Sequence, residues 1–302
     1  MDPPADPCWL QNIERVRHQP MECLLMLKFA FSSNAFKNTT LTEAVQAIAH
    51  AGYRGVEIMA DLPHAYPPQF GLAQRQALCQ QLRRLRIRAS NVNAFTLFAA
   101  GDTYHPTWIE PQDAQRQRRI DHTLTAIDLA ADIGAPTVSL QPGGPLIGTG
   151  LSRQDAGQRF AEGLGAVLPK ARQRKVTLAI EPEPGLFLQS SAEYLAFKQQ
   201  FFPDEPLLKM NCDLGHLYCV GDDPAEVLRT MPHEIAHIHL EDINKNHVHQ
   251  HLPLGKGDMN LPAILKTIKT SSYRGWVTVE LYPYVATAGE VAQQAMEYLK
   301  KH

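Results

Sequence analysis

No stretch of the sequence approaches the roughly 18 to 20 apolar residues that cross a bilayer. The longest apolar run, residues 24–31, is short and is broken by Lys28. An export signal, with its cationic start and long apolar core, is missing as well: residues 1–22 carry prolines, acids, Arg15 and Arg17 instead. An excess of one charge sign is absent too. The chain has 29 basic and 31 acidic side chains in 302 residues and a net charge of -2, which leaves no surplus cation for phosphates. No nucleic-acid partner and no membrane partner are therefore expected. Cysteine is scarce and unpaired in pattern: Cys8, Cys23, Cys79, Cys212 and Cys219 are an odd set with no Cys-x-x-Cys, which fits reduced thiols in a cytoplasmic protein. The sequence also holds no Gly-x-Ser-x-Gly, no His-Glu-x-x-His and no phosphate-cradling glycine loop, so serine-hydrolase and P-loop chemistries lack support.

What is present is an alternation. Short apolar or β-branched runs at 26–31, 55–59, 87–93, 137–141, 176–181, 207–213, 235–240 and 276–281 read as strands. Stretches with helical apolar spacing fall between them, near 71–85, 113–133, 153–173, 191–200, 223–230 and 260–270, and another follows near 287–300. After the first run, Thr40 and Glu43 have the spacing of a capping box, Leu41, Ala44, Val45 and Ile48 recur at helical spacing, and Gly52 stops the helix. Successive βαβ units of this kind close into a single-domain (β/α)8 TIM barrel over residues 26–302. A doubly wound open sheet is the alternative, but it wants a glycine-rich loop after an early strand, and Gln141-Pro-Gly-Gly-Pro comes late and lacks the fingerprint spacing. Residues 1–25 fit no barrel element and form an N-terminal extension, or the true start lies at Met21 or Met26.

In such a barrel the C-terminal strand ends form the reactive face. Four consecutive expected strands bring a metal-ligating residue there: Glu181, Asp213, His239 and Glu280. Any one of them taken singly reads equally well as a helix cap or an arginine partner. Three carboxylates gathered together repel unless protonated or neutralised, and a divalent cation neutralises them while using their oxygens as ligands. With one imidazole and no thiolate, the set suits manganese, magnesium, cobalt or zinc.

The chain resembles the xylose isomerase-like TIM-barrel family of sugar phosphate isomerases and epimerases. The matching segments are Glu181-Pro, Asp213-Leu-Gly-His216, His237-Ile-His239, Leu254-Gly-Lys-Gly-Asp258 and Tyr273-Arg-Gly-Trp-Val-Thr-Val-Glu280. The resemblance implies that Glu181, Asp213, His239 and Glu280 bind one divalent metal, that Glu181 and Glu280 also exchange protons with the substrate, and that His216 touches a substrate hydroxyl or orients the site. It further implies a small carbohydrate substrate and allows a homo-oligomer. One departure stands out: family ketose epimerases usually carry an Asn and a second Glu after the first ligand, where this chain reads Glu181-Pro-Glu-Pro-Gly-Leu-Phe-Leu.

Further residues extend the site. Glu57 and His251 are expected to bind substrate, Glu57 with a surface salt bridge as its alternative. His247, His249 and His251 alternate in the seventh loop, which would put them on one side of an extended segment. By resemblance to the related apurinic endonucleases, His216, His249 and His251 form a possible second metal site. Lys256, between two glycines, sits in a loop that would close over the substrate or is a solvated turn. The expected activity is an isomerase or epimerase working through an enediolate. A dehydratase of the inosose or dehydroshikimate type, an abasic-site phosphodiesterase and a non-catalytic binder are the alternatives.

Overall fold

The computed structural model describes residues 27–302. The expected N-terminal extension and the first residue of the expected first strand lie outside the described residues. Eight parallel strands form a closed barrel in sequence order: β1 (Lys28–Ser32), β2 (Gly55–Met59), β3 (Arg88–Asn93), β4 (Thr137–Leu140), β5 (Thr177–Ile180), β6 (Leu208–Asp213), β7 (Ile235–Leu240) and β8 (Trp276–Val279). Closure comes from β8 pairing with β1, with Lys28 opposite Trp276 and Phe31 opposite Val279. The single-domain (β/α)8 expectation holds. No helix among the described residues is long and apolar enough to cross a membrane.

The helices follow the apolar periodicity closely. They are α1 (Leu41–His50), α2 (Leu72–Leu85), α3 (Asp113–Ile133), α4 (Arg153–Arg174), α5 (Ser191–Phe201), α6 (Leu214–Cys219), α7 (Pro224–Thr230), α8 (Leu261–Thr270) and α9 (Ala288–Lys301). The capping box of α1 is formed on both sides: Glu43 Oε2 accepts from Thr40 N at 2.8 Å, and Thr40 Oγ1 accepts from Glu43 N at 3.3 Å. Gly52 ends the turn after α1 at φ +99°, a conformation that a side chain would oppose. α6 escapes the sequence reading because its six residues are too short to show a period.

Helices and barrel meet in one continuous apolar layer that includes Ile48, Val56, Ile58, Ile127, Leu164, Leu178 and Ile238. A cluster of rings thickens it where α4 and α5 meet the loops, with Phe160 stacked on Phe197 at 5.0 Å and tilted against Trp108 at 5.6 Å. Inside the barrel the character changes toward the C-terminal strand ends. Ser32, Glu57, Asn91, Asn211, His237 and His239 are buried there. Buried polar groups need partners, so this end must be a connected polar network or a ligand site.

Candidate active site

Glu181 and Glu280 each follow the last residue of their strands, one position beyond the expected register, while Asp213 closes β6 and His239 lies within β7. One ligand atom from each of Glu181, Asp213, His239 and Glu280 lies within 4.8 Å of the other three, and all four residues are buried. His239 Nδ1 is 3.1 Å from Glu181 Oε1, 3.5 Å from Glu280 Oε2 and 3.6 Å from Asp213 Oδ2. Asp213 also caps α6, accepting from His216 N at 2.7 Å through Oδ1. Its other oxygen is buried with no hydrogen-bond partner among the described residues. One oxygen of this carboxylate thus serves as the cap, and the other is left without a donor. A buried carboxylate oxygen without a donor, facing two more carboxylates and an imidazole, is what a divalent cation would complete.

The ionisation of the set points the same way. Burial works against charge on His239, but the Glu57, Glu280 and Glu181 carboxylates outweigh it and hold the imidazole well above its ordinary range. Burial, reinforced by Glu181 and Glu57, lifts Glu280 well above the usual carboxylate range even beside His239. Protons therefore do in the free chain the neutralising that a cation would do in its place.

Glu57 sits beneath this set and away from the cavity wall. It is fully buried. Oε1 accepts from Ser32 Oγ at 2.7 Å and Asn93 Nδ2 at 3.2 Å, and Oε2 accepts from Asn91 Nδ2 at 2.9 Å while facing His239 Nε2 at 2.7 Å. Neither oxygen is left for a substrate hydroxyl, and the surface salt-bridge alternative is excluded by the depth of the residue. Because Nε2 faces this acceptor, the proton belongs on Nε2, and Nδ1 is presented to the three carboxylates.

The expected grouping of His216, His249 and His251 is present, with ligand atoms within 4.8 Å of one another. His216 Nδ1 faces the Pro182 carbonyl at 3.1 Å and His251 Nδ1 faces the Glu280 carbonyl at 2.9 Å, so each Nδ1 donates. Their Nε2 atoms then face each other at 3.4 Å, and His249 Nε2 is buried without a partner among the described residues. Burial pushes His216 down to about 4 and His251 down to about 3, which leaves both rings neutral and able to ligate at neutral pH. His247 does not join them. It takes φ +57°, breaks the expected extended run, and stacks on Tyr218 at 4.3 Å.

Above these groups lies a cavity of about 180 Å³ whose wall includes Glu181, Glu280, His216 and His249, together with Asn34, Lys37, Phe98 and Tyr282. Glu57, His251 and Lys256 are not on the wall. Lys256 is exposed in a loop bound tightly to Asp242, whose carboxylate accepts from the backbone of Gly255, Gly257 and Met259 as well as Ile243. The loop is a cradle around a buried acid, which explains Gly-Lys-Gly without a closing motion.

Several wall and supporting residues were not singled out in the sequence. Glu183 lines the cavity and accepts from Tyr104 Oη at 2.9 Å. Burial, with Glu181 and Asp213 nearby, pushes its carboxyl up to about 8. Asn34 Nδ2 donates to Glu280 Oε1 at 2.7 Å, and Asn211 Nδ2 to Glu181 Oε2 at 2.8 Å. The signal for Glu183 was its place two residues past Glu181. The asparagines gave none, because their role depends on strand register.

Comparison with known proteins agrees with this architecture. A curated inosose dehydratase of Clostridium perfringens is 24% identical over 285 residues, covering 88% of this chain and 91% of the relative. Among solved structures, an IolI protein with a bound zinc atom superposes at TM-score 0.74 with 15% identity, covering 91% of this chain and 97% of the other. A D-tagatose 3-epimerase-like protein superposes at 0.73 with 19% identity, covering 91% and 99%. The model of the family described as xylose isomerase-like TIM barrel matches residues 45–302. With that match spanning most of the sequence, and with the closed barrel described above, the chain belongs to the xylose isomerase-like TIM-barrel family.

Proposed function

We propose that this protein is a divalent-metal-dependent dehydratase acting on a polyhydroxylated, sugar-like ketone. The observation that carries the reading is the convergence of Glu181, Asp213, His239 and Glu280 beside a cavity on whose wall Glu181 and Glu280 stand. The choice of dehydration is supported by the inosose dehydratase named among the relatives. A cation held by these four residues would stabilise negative charge developing on a substrate carbonyl oxygen. Glu181 or Glu280 takes the proton from the carbon beside the carbonyl. Glu183, whose carboxyl is pushed up by burial and which is braced by Tyr104, gives a proton to the hydroxyl that leaves as water from the neighbouring carbon. His216 reaches the substrate from the wall, while Glu57 and His251 act through the residues they orient. The three-histidine group is proposed to hold a second cation, since its Nε2 atoms meet with no donor between them.

Epimerisation is the second reading. It shares the first proton transfer and returns the proton to the same carbon from the opposite side. Two wall glutamates in the ligand set, Glu181 and Glu280, favour it. Product mass over a panel of neutral and acidic polyhydroxylated ketones separates the two, since dehydration lowers mass by one water and epimerisation conserves it. Glu280→Gln is expected to abolish turnover with the fold retained. Glu183→Gln should lower kcat by about 10²- to 10⁴-fold in a dehydratase. Unchanged turnover in Glu280→Gln would refute both readings.

A further inference from the structure

The cavity is chemically lopsided. Its base carries the carboxyl groups of Glu181, Glu183 and Glu280, while Lys37 is the one lysine or arginine on the wall among the described residues. Lys37 follows the 3-10 turn Ser33–Phe36 at the end of β1 and is half-buried. Its ammonium stands 5.7 Å from the centroid of the Phe98 ring and makes no ion pair among the described residues. A few residues earlier, Asn34 donates through Nδ2 to Glu280 and leaves Oδ1 buried without a partner among the described residues.

These facts constrain the ligand. Asn34 Oδ1 and the base carboxylates ask for donors, which hydroxyls provide. The Lys37 ammonium has three N–H donors and accepts nothing, so whatever covers it must bring an acceptor. At about 180 Å³ the cavity is smaller than the roughly 300–1,000 Å³ of ordinary ligand sites, so one compact ligand must meet both ends at once. Burying an ammonium under a neutral hydroxyl recovers little of its lost hydration, whereas an anionic oxygen recovers it in a short, charge-assisted bond.

We infer that Lys37 reads an anionic group on the substrate, a carboxylate or phosphoryl, at the end remote from the reacting carbons, so that the substrate is an acidic rather than a neutral polyol. The Phe98 ring holds the ammonium at the wall, and the ammonium's pairing with the anionic group fixes which end of the substrate faces the base. One binding orientation results. The inference rests on the function proposed above and adds the charge of the substrate to it.

Calorimetric titration of the metal-loaded full chain tests it with three probes: shikimate, a cyclic polyol bearing a carboxylate; myo-inositol, a neutral ring; and inorganic phosphate. Wild type is compared with Lys37→Met. Shikimate affinity should fall about tenfold or more in the variant, while the affinity for myo-inositol stays the same. Lys37-dependent binding of inorganic phosphate without that of shikimate would identify the anionic group as phosphoryl. Equal affinities of both anions for the two proteins, or an equal loss for myo-inositol, would overturn the role of Lys37. If the variant keeps its metal and binds the neutral ring as wild type does while anion binding shows no Lys37 dependence, this inference fails alone. If wild type binds no ring of either charge, the proposed function fails with it.

Discussion

Glu57 decides which nitrogen His239 would offer to a cation. With Ser32, Asn91 and Asn93 donating to its two oxygens, the carboxylate is pinned, and its Oε2 faces His239 Nε2 at 2.7 Å. Glu57→Gln keeps the shape but puts an amide against that nitrogen, which loosens the control of the tautomer. The substitution is expected to weaken divalent-metal affinity by about 10- to 100-fold with the fold retained, measured by competition against a chelator. Affinity equal to wild type would remove Glu57 from that role. The convergence of Glu181, Asp213, His239 and Glu280 was legible in the sequence because each falls at or near the C-terminal end of an apolar run, where position alone carries meaning. Asn34, Asn93 and Asn211 were not, because whether an asparagine donates inward is fixed by a half-turn of strand register that no local pattern records.

At the scale of elements, the seventh loop shows how backbone groups present side chains. The Asp242 carboxylate gathers four backbone N–H groups between Ile243 and Met259, and the Asp242 and Leu252 backbones pair across the loop. His251 stands beside that pairing. A side chain at Gly257 would strike the Asp242 carboxylate and the Ile243 carbonyl, so the glycine is required by close approach. Asp242→Ala leaves those donors without an acceptor and is expected to cost about 3 kcal/mol in urea unfolding. A loss under about 0.5 kcal/mol would mean that the cradle organises nothing. The sequence showed Gly-Lys-Gly but not its acceptor, which lies more than a dozen residues upstream and meets it only in the fold. The alternating histidines misled for a related reason, since one left-handed residue, His247, reverses the side from which the run is read.

For the whole molecule, eight strand and helix periods sufficed to specify the barrel, because parallel strands joined by helices have few ways to close. The electrostatics of the outer layer were not legible. His122 on α3 is buried against Tyr66 with both ring nitrogens unpartnered among the described residues. Burial, aided by Arg119, pushes it from 6.5 down to about 3. The unfolded chain therefore takes up this proton first, and stability falls as pH drops below about 6.5. His122 alone should cost about 2 kcal/mol by pH 5, so His122→Phe should shrink the difference in unfolding free energy between pH 7 and pH 5 by about that amount. An unchanged difference would show that the ring is protonated in the folded state.

The account depends most on one cation shared by Glu181, Asp213, His239 and Glu280. Metal analysis of the purified chain after loading and desalting, beside Asp213→Asn with its fold checked by circular dichroism, tests this most directly. At least one tightly held divalent ion per chain is predicted for the wild type, with that ion lost in the variant. A wild type that retains none, or a variant that keeps the full complement, would contradict the account.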